Sequence, residues 1–311
     1  MFSGLLSSPD FRPAKATTLL GVSTLPQGLP ASTTLASSGL TAELERDRFT
    51  RSGVVLRVDG IAQSQVNPDD PTDLQFEYIR RIGNVIDLFR PEGKPITAVH
   101  LGAGALTLPR YVSHTRPGSR SQVIEWEQDL VDFVRGVLPW DSSWSIRVRY
   151  GDARDVVAKL PSGLHGSVDL VVVDLFAGNH TPGHLTTKQF YGLIAPLLSA
   201  DGVVAINMVD GRPQAFTRSQ IATLREVFGF VGLMGESGVV RGRRFGNMIV
   251  IATPGASEPE WWGRLQRLGP HPTSLLSGST LDRFAHTAPV QVDANKIESP
   301  RLGQGFFGAD G

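Results

Sequence analysis

The chain has no cysteine among its 311 residues. Disulfide bonds and zinc sites built on cysteine thiolates are therefore excluded, which agrees with a reducing compartment such as the cytoplasm. The chain also has no net charge, because 30 Lys and Arg residues balance 30 Asp and Glu residues. No overall field attracts the molecule to nucleic acid or to a membrane surface, and only a local basic patch at Arg241, Arg243 and Arg244 stands out.

Long apolar stretches are missing as well. No run approaches the roughly 20 residues that a membrane-spanning helix needs. The N-terminus lacks the basic segment followed by an apolar stretch that marks a secretory signal. The sequence therefore predicts a cytoplasmic protein with neither a membrane nor a nucleic acid as its partner.

What is present is an ordinary globular composition, with 41% hydrophobic and 19% charged residues, which permits a large core without cross-links. Residues 1–49 are rich in Ser, Thr, Pro and Gly and show no sustained period, which predicts a flexible N-terminal arm. Residues 50–92 predict a small hairpin and helix region. Residues 93–255 predict an α/β domain, and residues 256–311 a C-terminal extension.

The second region begins with two short apolar runs. Val54–Val58 and Ile61–Val66 are separated by Asp59-Gly60, a dipeptide typical of a two-residue hairpin turn. Between Leu74 and Phe89 the apolar residues instead recur every three or four positions. We expect a β-hairpin followed by one amphipathic helix.

Strand and helix patterns alternate through the middle of the chain. The strand-like runs are Ile96–Leu101, Gln122–Glu125, Trp144–Tyr150, Val168–Val173, Gly202–Met208, Gly229–Met234 and Met248–Ala252. The helical runs are Glu127–Leu138, Lys188–Leu198 and Phe216–Phe228. This alternation predicts a doubly wound parallel sheet with helices on both faces. Ligands of such sheets bind at the carboxyl ends of the strands, near the point where the strand order reverses.

The first strand of this region ends in Gly102-Ala103-Gly104. Glycine there lets the backbone approach a ligand closely, although a tight strand-to-helix turn needs the same residues. The third glycine of the dinucleotide-binding fingerprint is absent, because Thr107 occupies its position. A dinucleotide site is therefore less favoured.

Three acids follow successive strands of the predicted sheet. Glu125 lies about 20 residues after the glycines, where a carboxylate can accept hydrogen bonds from ribose hydroxyls; the alternative is a solvated acid at a helix start, as Glu127 is interpreted. Asp152, in Gly151-Asp152-Ala153, either accepts from an adenine amine or caps a helix. Asp174 ends the most apolar strand, so its carboxylate is expected at the mouth of the sheet, in surroundings that raise its pKa.

The segment after Asp174, Leu175–Thr186, has the composition of a loop and is expected to lie over the site. His180 and His184 in this segment are not on an evident helix, so their spacing does not predict a metal site. We interpret them as polar loop residues and expect no metal.

In their order and spacing, several motifs together resemble the polyamine aminopropyltransferases, of which spermidine synthase is the best known. Asp59-Gly60-Ile61-Ala62-Gln63 resembles the family's Asp-Gly-x-x-Gln motif, Phe76-Glu77-Tyr78 its Phe-x-Tyr, and Gly102-Ala103-Gly104 its glycine-rich loop. The run Leu185–Tyr191 is similar to the family's Leu-Phe-x-x-x-Phe-Tyr, and the stretch Ala288-Pro289-Val290 with Asp293 to one near the end of related chains.

This resemblance implies a class I S-adenosylmethionine-dependent methyltransferase-like fold: a Rossmann-like, doubly wound, nucleoside-binding sheet with a small N-terminal β-hairpin domain. It implies transfer of an aminopropyl group from decarboxylated S-adenosylmethionine, a co-substrate and not a prosthetic group, to a small amine such as putrescine. The catalytic aspartate corresponds to Asp174, and the tyrosine of the acceptor channel to Tyr78. The residues that hold the nucleoside correspond to Gln63, Gly102, Gly104, Glu125, Asp152 and Ala153. The hairpin domain of the family often mediates dimers, so a homodimer is expected.

Three positions depart from the family pattern. Ala105 replaces the family's aspartate that binds the aminopropyl amine. Ala177 stands where the family has a second acid after the strand that Asp174 ends, and Ile79 stands where the family has His or Gln after the tyrosine that corresponds to Tyr78. A dication needs carboxylates to replace its hydration, so this loss predicts weaker polyamine binding or a different acceptor. Two alternatives stay open. One is a methyltransferase that uses intact S-adenosylmethionine, whose carboxylate an acid at position 105 would repel. The other is a binding protein that has kept the fold without turnover.

Overall fold

The computed structural model describes Pro26 and residues 28–301 of the chain. These residues form a four-stranded sheet near the N-terminus and an eight-stranded sheet that carries helices on both faces. No helix of this described part is both long enough and apolar enough to cross a membrane.

The small sheet is antiparallel, with its strands in sequence order. The strands are β1 Ala31–Thr34, β2 Thr41–Arg46, β3 Val54–Val58 and β4 Ile61–Val66. β3 and β4 form the hairpin that the sequence predicted. Asp59 and Gly60 connect them with φ angles of 50° and 77°, as a two-residue turn that matches the strand twist requires.

β1 and β2 differ from the sequence-based expectation, because they lie within residues 1–49, which were predicted to be a flexible arm. Ala42 and Leu44 of β2 are fully buried, and Leu35 is nearly so. Buried and exposed residues alternate in β2, but over only six residues, and the exposed positions include charged side chains. This pattern is too short to identify the strand from the sequence. β2 gains its stability from pairing with β3. Residues 1–25 and Gln27 of the predicted arm lie outside the described residues.

The large sheet has the strand order β12-β10-β11-β9-β8-β5-β6-β7. Its strands are β5 Thr97–Leu101, β6 Arg120–Glu125, β7 Ser145–Tyr150, β8 Val168–Val173, β9 Leu198–Asp210, β10 Phe230–Glu236, β11 Gly246–Thr253 and β12 Thr273–Leu276. β7, β6, β5, β8 and β9 are parallel, as predicted, whereas β11, β10 and β12 are antiparallel. The link from β10 to β11 is shorter than a parallel crossover requires, so β11 returns in the opposite direction.

Nine helices in the described residues surround the two sheets. They are α1 Glu77–Leu88, α2 Thr107–Thr115, α3 Gln128–Val137, α4 Ala153–Val157, α5 Lys188–Ile194, α6 Ala215–Arg225, α7 Ser237–Val240, α8 Leu265–Leu268 and α9 Gly278–Ala285. Successive residues of β8 point to opposite faces of the sheet. Val171 and Val173 pack in a core with α4, α5 and α6, and Leu170 and Val172 in a core with α1 and α2. α1 thus belongs to the large sheet, although the sequence grouped it with the hairpin.

The strand order reverses between β5 and β8. From β5 the chain proceeds to β6 and β7 on one side, and then returns to β8 and β9 on the other. Leu101 and Val173 pair in register at the carboxyl ends of β5 and β8, so the turns that follow them meet at this edge. Such an edge is where doubly wound sheets bind ligands.

Candidate active site

A cavity of about 290 Å³ lies at this carboxyl edge, between the large sheet, β4 and α1. The structure brings all of the predicted site residues to its walls: Gln63, Tyr78, Gly102, Gly104, Glu125, Asp152, Ala153 and Asp174. The three acids at the carboxyl ends of β6, β7 and β8 therefore share one crevice.

The glycine loop is shaped by close approach to protein on both of its sides. Gly102 has a φ of 94°, and a Cβ at this residue would overlap the carbonyl oxygen of Asp174. A Cβ on Gly104 would overlap the hydroxyl of Ser64 in β4, which accepts a hydrogen bond of 3.1 Å from the Ala105 N–H. The glycines thus join the turn after β5 to the turn after β8 and to the small sheet.

Glu125 is buried, and its carboxylate is already engaged by the backbone. It accepts hydrogen bonds from the N–H groups of Ala103 at 2.8 Å, Trp126 at 2.9 Å and Glu127 at 3.0 Å. Burial raises the pKa of Glu125, and these three donors oppose the increase. The side chain therefore fixes the glycine loop against the end of β6, and it also faces the cavity.

Glu127 was interpreted as a solvated acid at a helix start, and this interpretation is wrong. It precedes α3 but makes no capping hydrogen bond, and it is only 4% exposed. Neither of its carboxylate oxygens has a hydrogen-bond partner among the described residues, and the side chain lines the cavity. A buried carboxylate without a partner is costly, so Glu127 is a second candidate for binding hydroxyl groups of a ligand.

Asp152 makes the helix cap that was predicted as its alternative role. One of its oxygens accepts from the N–H groups of Arg154 at 2.9 Å and Asp155 at 3.2 Å, and the other lies 2.7 Å from Nε2 of His184. Burial alone would raise the pKa of Asp152, but hydrogen bonds from His184 and the backbone hold it below its usual value. His184, interpreted as a polar loop residue, also lines the cavity; no spacing in the sequence indicates this contact.

Asp174 lies at the mouth of the large sheet, as expected for the end of β8. Its Oδ1 accepts a hydrogen bond of 2.8 Å from Nδ2 of Asn207, and its Oδ2 accepts one of 3.2 Å from the Tyr78 hydroxyl. Burial raises the pKa of Asp174, although both donors lower it. Burial and the neighbouring carboxylate also raise the pKa of Tyr78 well above its usual value. The carboxylate is therefore held in place and has an increased affinity for a proton.

A group of polar residues that the sequence analysis missed lies beside Asp174. His100, Asn207 and Asn247 line the cavity, and we call them the amide–imidazole patch. Neither ring nitrogen of His100 has a partner among the described residues, nor do the amide oxygens of Asn207 and Asn247. Burial lowers the pKa of His100 to about 3, so its ring is neutral at physiological pH.

The loop over the cavity is fixed by residues 289–300, which we call the strap. The carbonyl of Gln291 accepts from the Lys188 N–H at 2.8 Å, and the Ser299 hydroxyl accepts from the Thr181 N–H at 2.7 Å. Asp293 accepts two hydrogen bonds, of 2.8 and 2.6 Å, from Arg154. Arg154 also donates to the carbonyl of His184 at 3.2 Å. The strap thus connects to the residue that contacts Asp152.

No protein-family model matches the chain. A polyamine aminopropyltransferase of Vibrio vulnificus is 30% identical over 168 residues, which cover 51% of this chain and 52% of that protein. An N-terminal histidine N-methyltransferase of Emericella nidulans is 32% identical over 138 residues, which cover 44% of this chain and 24% of that protein. The chain therefore spans about half the length of the aminopropyltransferases that it matches.

Among solved structures, a probable spermidine synthase from Corynebacterium glutamicum superposes with a TM-score of 0.77. Its sequence is 26% identical, and the match covers 85% of this chain and 96% of that one. This likeness confirms the predicted fold class, a class I methyltransferase-like doubly wound sheet with a small N-terminal β domain. Together with the motifs and the aminopropyltransferase relatives, it makes the chain similar to members of the spermidine synthase family.

Proposed function

We propose that the protein transfers an aminopropyl group from decarboxylated S-adenosylmethionine to a small amine. The observation that carries the proposal is the position of Asp174. It shares a cavity with Glu125 and Asp152, and its two oxygens are held by Tyr78 and Asn207. A carboxylate fixed in this way suits the deprotonation and alignment of an amine beside a bound nucleoside.

In this proposal the nucleoside half of the co-substrate lies along the turns after β5, β6 and β7. Glu125 and Glu127 accept hydrogen bonds from the ribose hydroxyls; Glu127 has the greater capacity, because both of its oxygens are unpartnered among the described residues. Asp152 and the backbone of Ala153 contact the adenine. Gln63, from the small sheet, closes the cavity from above.

The chemical step needs little covalent assistance from the protein. The ammonium form of the acceptor first loses a proton to Asp174. The nitrogen lone pair then forms a bond to the carbon of the propyl chain next to sulfur, while the carbon–sulfur bond breaks and its electron pair neutralises the sulfonium. The products are methylthioadenosine and an extended amine. Catalysis is mostly alignment of nitrogen, carbon and sulfur, with water excluded by the loop under the strap.

The increased pKa of Asp174 suits this role. The pKa of Asp174 is closer to that of an amine than the pKa of an exposed carboxylate is. Proton transfer from the ammonium to Asp174 is therefore less unfavourable. Tyr78, whose pKa is raised further, stays protonated and donates its hydrogen bond to Asp174. Tyr78 therefore positions the base and also borders the channel through which an acceptor would enter.

A second candidate function is methyl transfer from intact S-adenosylmethionine. The observation that favours it is Ala105, fully buried in the glycine loop where the family has an acid, together with the partial match to a methyltransferase. Without an acid at this position, one source of repulsion for the carboxylate of the intact compound is missing.

Isothermal titration with both sulfonium compounds separates these functions. We expect the decarboxylated compound to bind more tightly, and methylthioadenosine to form when an amine is added. Tighter binding of intact S-adenosylmethionine, with methylation of an acceptor, would contradict aminopropyl transfer. Binding of neither compound would indicate the non-catalytic alternative.

We propose further that the protein acts in the cytoplasm as a homodimer. The lack of cysteine supports the first part. The second is supported by β1, which pairs only with β2 among the described residues and so forms an edge of the small sheet that another chain could extend. Light scattering should give twice the chain mass of 33.6 kDa, and a monomer at working concentrations would contradict it.

A further inference from the structure

The amide–imidazole patch lies on one face of the large sheet. His100 of β5 pairs in register with Val172 of β8, which pairs with Ala205 of β9. Asn207 follows Ala205 by two positions and therefore points to the same face. Asn247 of β11 lies two positions before Ile249, the register partner of Asn207. This is the face that α1 covers, so Tyr78 and Asp174 adjoin the patch.

The patch presents hydrogen-bonding atoms that no described residue satisfies. His100 is 2% exposed and Asn207 is 5% exposed, in a layer that is otherwise apolar. A neutral imidazole offers one donor and one acceptor, and each free amide oxygen offers an acceptor. Leaving buried polar atoms unpaired destabilises a protein, so their accumulation on a cavity wall points to a ligand with complementary groups.

The charge near the patch is small. Among the described residues that line the cavity, Asp174 is the acid beside the patch, whereas Glu125, Glu127 and Asp152 lie at the ends of β6 and β7 on the nucleoside side. Glu236 follows Gly235, the register partner of Met248, but it does not line the cavity, and the Val239 N–H and Arg244 already engage its carboxylate. Ile79 and Ala177, where the family pattern has polar or acidic groups, also line the cavity on this side. Asp174 compensates the amine that reacts, and no described carboxylate remains there for a second ammonium. An ammonium at the patch would meet neutral groups only and would lose its hydration without compensation.

We propose that the acceptor is a monoamine whose far end carries an uncharged hydrogen-bonding group, such as a hydroxyl, which the amide–imidazole patch binds. This inference rests on the proposed aminopropyl transfer and narrows its substrate class. The reacting nitrogen lies at Asp174, and the uncharged polar end lies between His100 and Asn247.

Three amines of equal carbon chain test this: putrescine, aminobutanol and butylamine. At a fixed concentration of decarboxylated S-adenosylmethionine, we expect kcat/KM for aminobutanol to exceed that for each of the others by about tenfold, the effect of one buried hydrogen bond or more. A preference for putrescine, or equal rates for aminobutanol and butylamine, would overturn the proposal.

Asn247→Leu removes an amide of the patch without touching Asp174. We expect the ratio of aminobutanol to butylamine to fall towards one. The ratio is its own control, because a folding defect lowers both rates together. An unchanged ratio would remove Asn247 from the proposal.

Binding gives a readout that does not need turnover. Each amine is titrated into the wild-type protein saturated with methylthioadenosine. If aminobutanol binds about tenfold more tightly than putrescine, the proposed specificity is supported. If the same protein transfers no aminopropyl group, the proposed reaction is contradicted while the specificity stands. Failure of both amines to bind, or tighter binding of putrescine, would overturn the specificity itself.

Discussion

Asp174 has opposite effects on activity and on folding stability. Its pKa is raised in the folded protein, so folding favours the protonated form. The favourable contribution is complete below the usual pKa of an aspartate, about 3.9, and is lost as the pH rises through the increased folded value. At neutral pH the ionised side chain therefore destabilises the fold by about 1.4 kcal/mol for each unit of the increase.

We therefore expect Asp174→Asn to lose activity and gain stability at pH 8. Removing a general base lowers kcat/KM by roughly 10²–10⁴, while titration should show that nucleoside binding is kept. Thermal melts at pH 8 and pH 4 measure the stability, and the gain should shrink at the lower pH. Glu92→Gln, at an exposed residue, is the control. An active Asp174→Asn enzyme would remove the residue from catalysis.

His100 gives the opposite pH dependence. Its folded pKa of about 3 is below the usual 6.5, so the unfolded chain takes up the proton first. The contribution of the neutral ring to stability is present above pH 6.5 and is lost as the pH falls towards 3.

Between pH 7 and pH 5, wild-type protein should lose about 2 kcal/mol of unfolding free energy through His100. Urea unfolding at both pH values should show this loss, and His100→Gln should reduce it by about that amount. His114→Gln, at an exposed histidine of α2, is the matched control. Equal behaviour of the two variants would show that His100 is not buried in its neutral form.

At the scale of elements, the turn after β5 requires glycine at position 102. Gly102→Ala introduces a Cβ at a positive φ and against the backbone of Asp174. We expect a loss of roughly 2–5 kcal/mol in unfolding free energy and a loss of nucleoside binding, both measurable by denaturation and titration.

Gly136→Ala is the matched control. Gly136 lies on the exposed side of α3 with open space around its Cα. Because alanine favours helix, this variant should be as stable as the wild type or more stable by up to about 1 kcal/mol. If both alanine variants were equally stable, the tight approach at Gly102 would not matter.

The elements differ in how far the sequence predicts them. β8 was predicted with its observed ends, because five of the six residues of Val168–Val173 are apolar and four of them are valine, which favours a buried strand. β2 was missed, because its alternating pattern is short and depends on pairing with β3. The antiparallel direction of β11 was missed, because strand direction depends on connection length and not on the apolar pattern.

In the candidate site, too, some residues were predicted from the sequence and others were missed. Motif order predicted Tyr78, Glu125 and Asp174, which the structure brings to one cavity. Asn207 and Asn247 give no signal in the sequence, because their common face depends on the register between β9 and β11. His184 reaches Asp152 only through the folded path of its loop. Contacts of this kind require the pairing of strands and loops to be known first.

At the scale of the whole molecule, the strap connects the end of the described chain to the cavity. Asp293→Asn should weaken the pair with Arg154, which is partly exposed, so the stability loss should be below about 1 kcal/mol. We expect a larger effect on catalysis, with KM for the sulfonium compound raised severalfold, because Arg154 also holds the carbonyl of His184. Steady-state kinetics and thermal melts on the same preparations measure both.

The control is Asp282→Asn. It weakens the pair between Arg225 and Asp282, which is also 2.6 Å long and partly exposed but involves no residue that lines the cavity. It should change stability by a similar amount and leave KM unaltered. A similar KM for both variants would show that the strap does not influence the cavity.

The strap also has a consequence for biosynthesis. A ribosome releases residues 289–300 after every strand and helix of the two sheets has been made. A nascent chain can form its sheets before then, but its cavity stays uncovered on the side of Thr181 and His184. A premature stop codon shortly before this segment would therefore leave the sequence of every described strand and helix intact but the pocket unfinished.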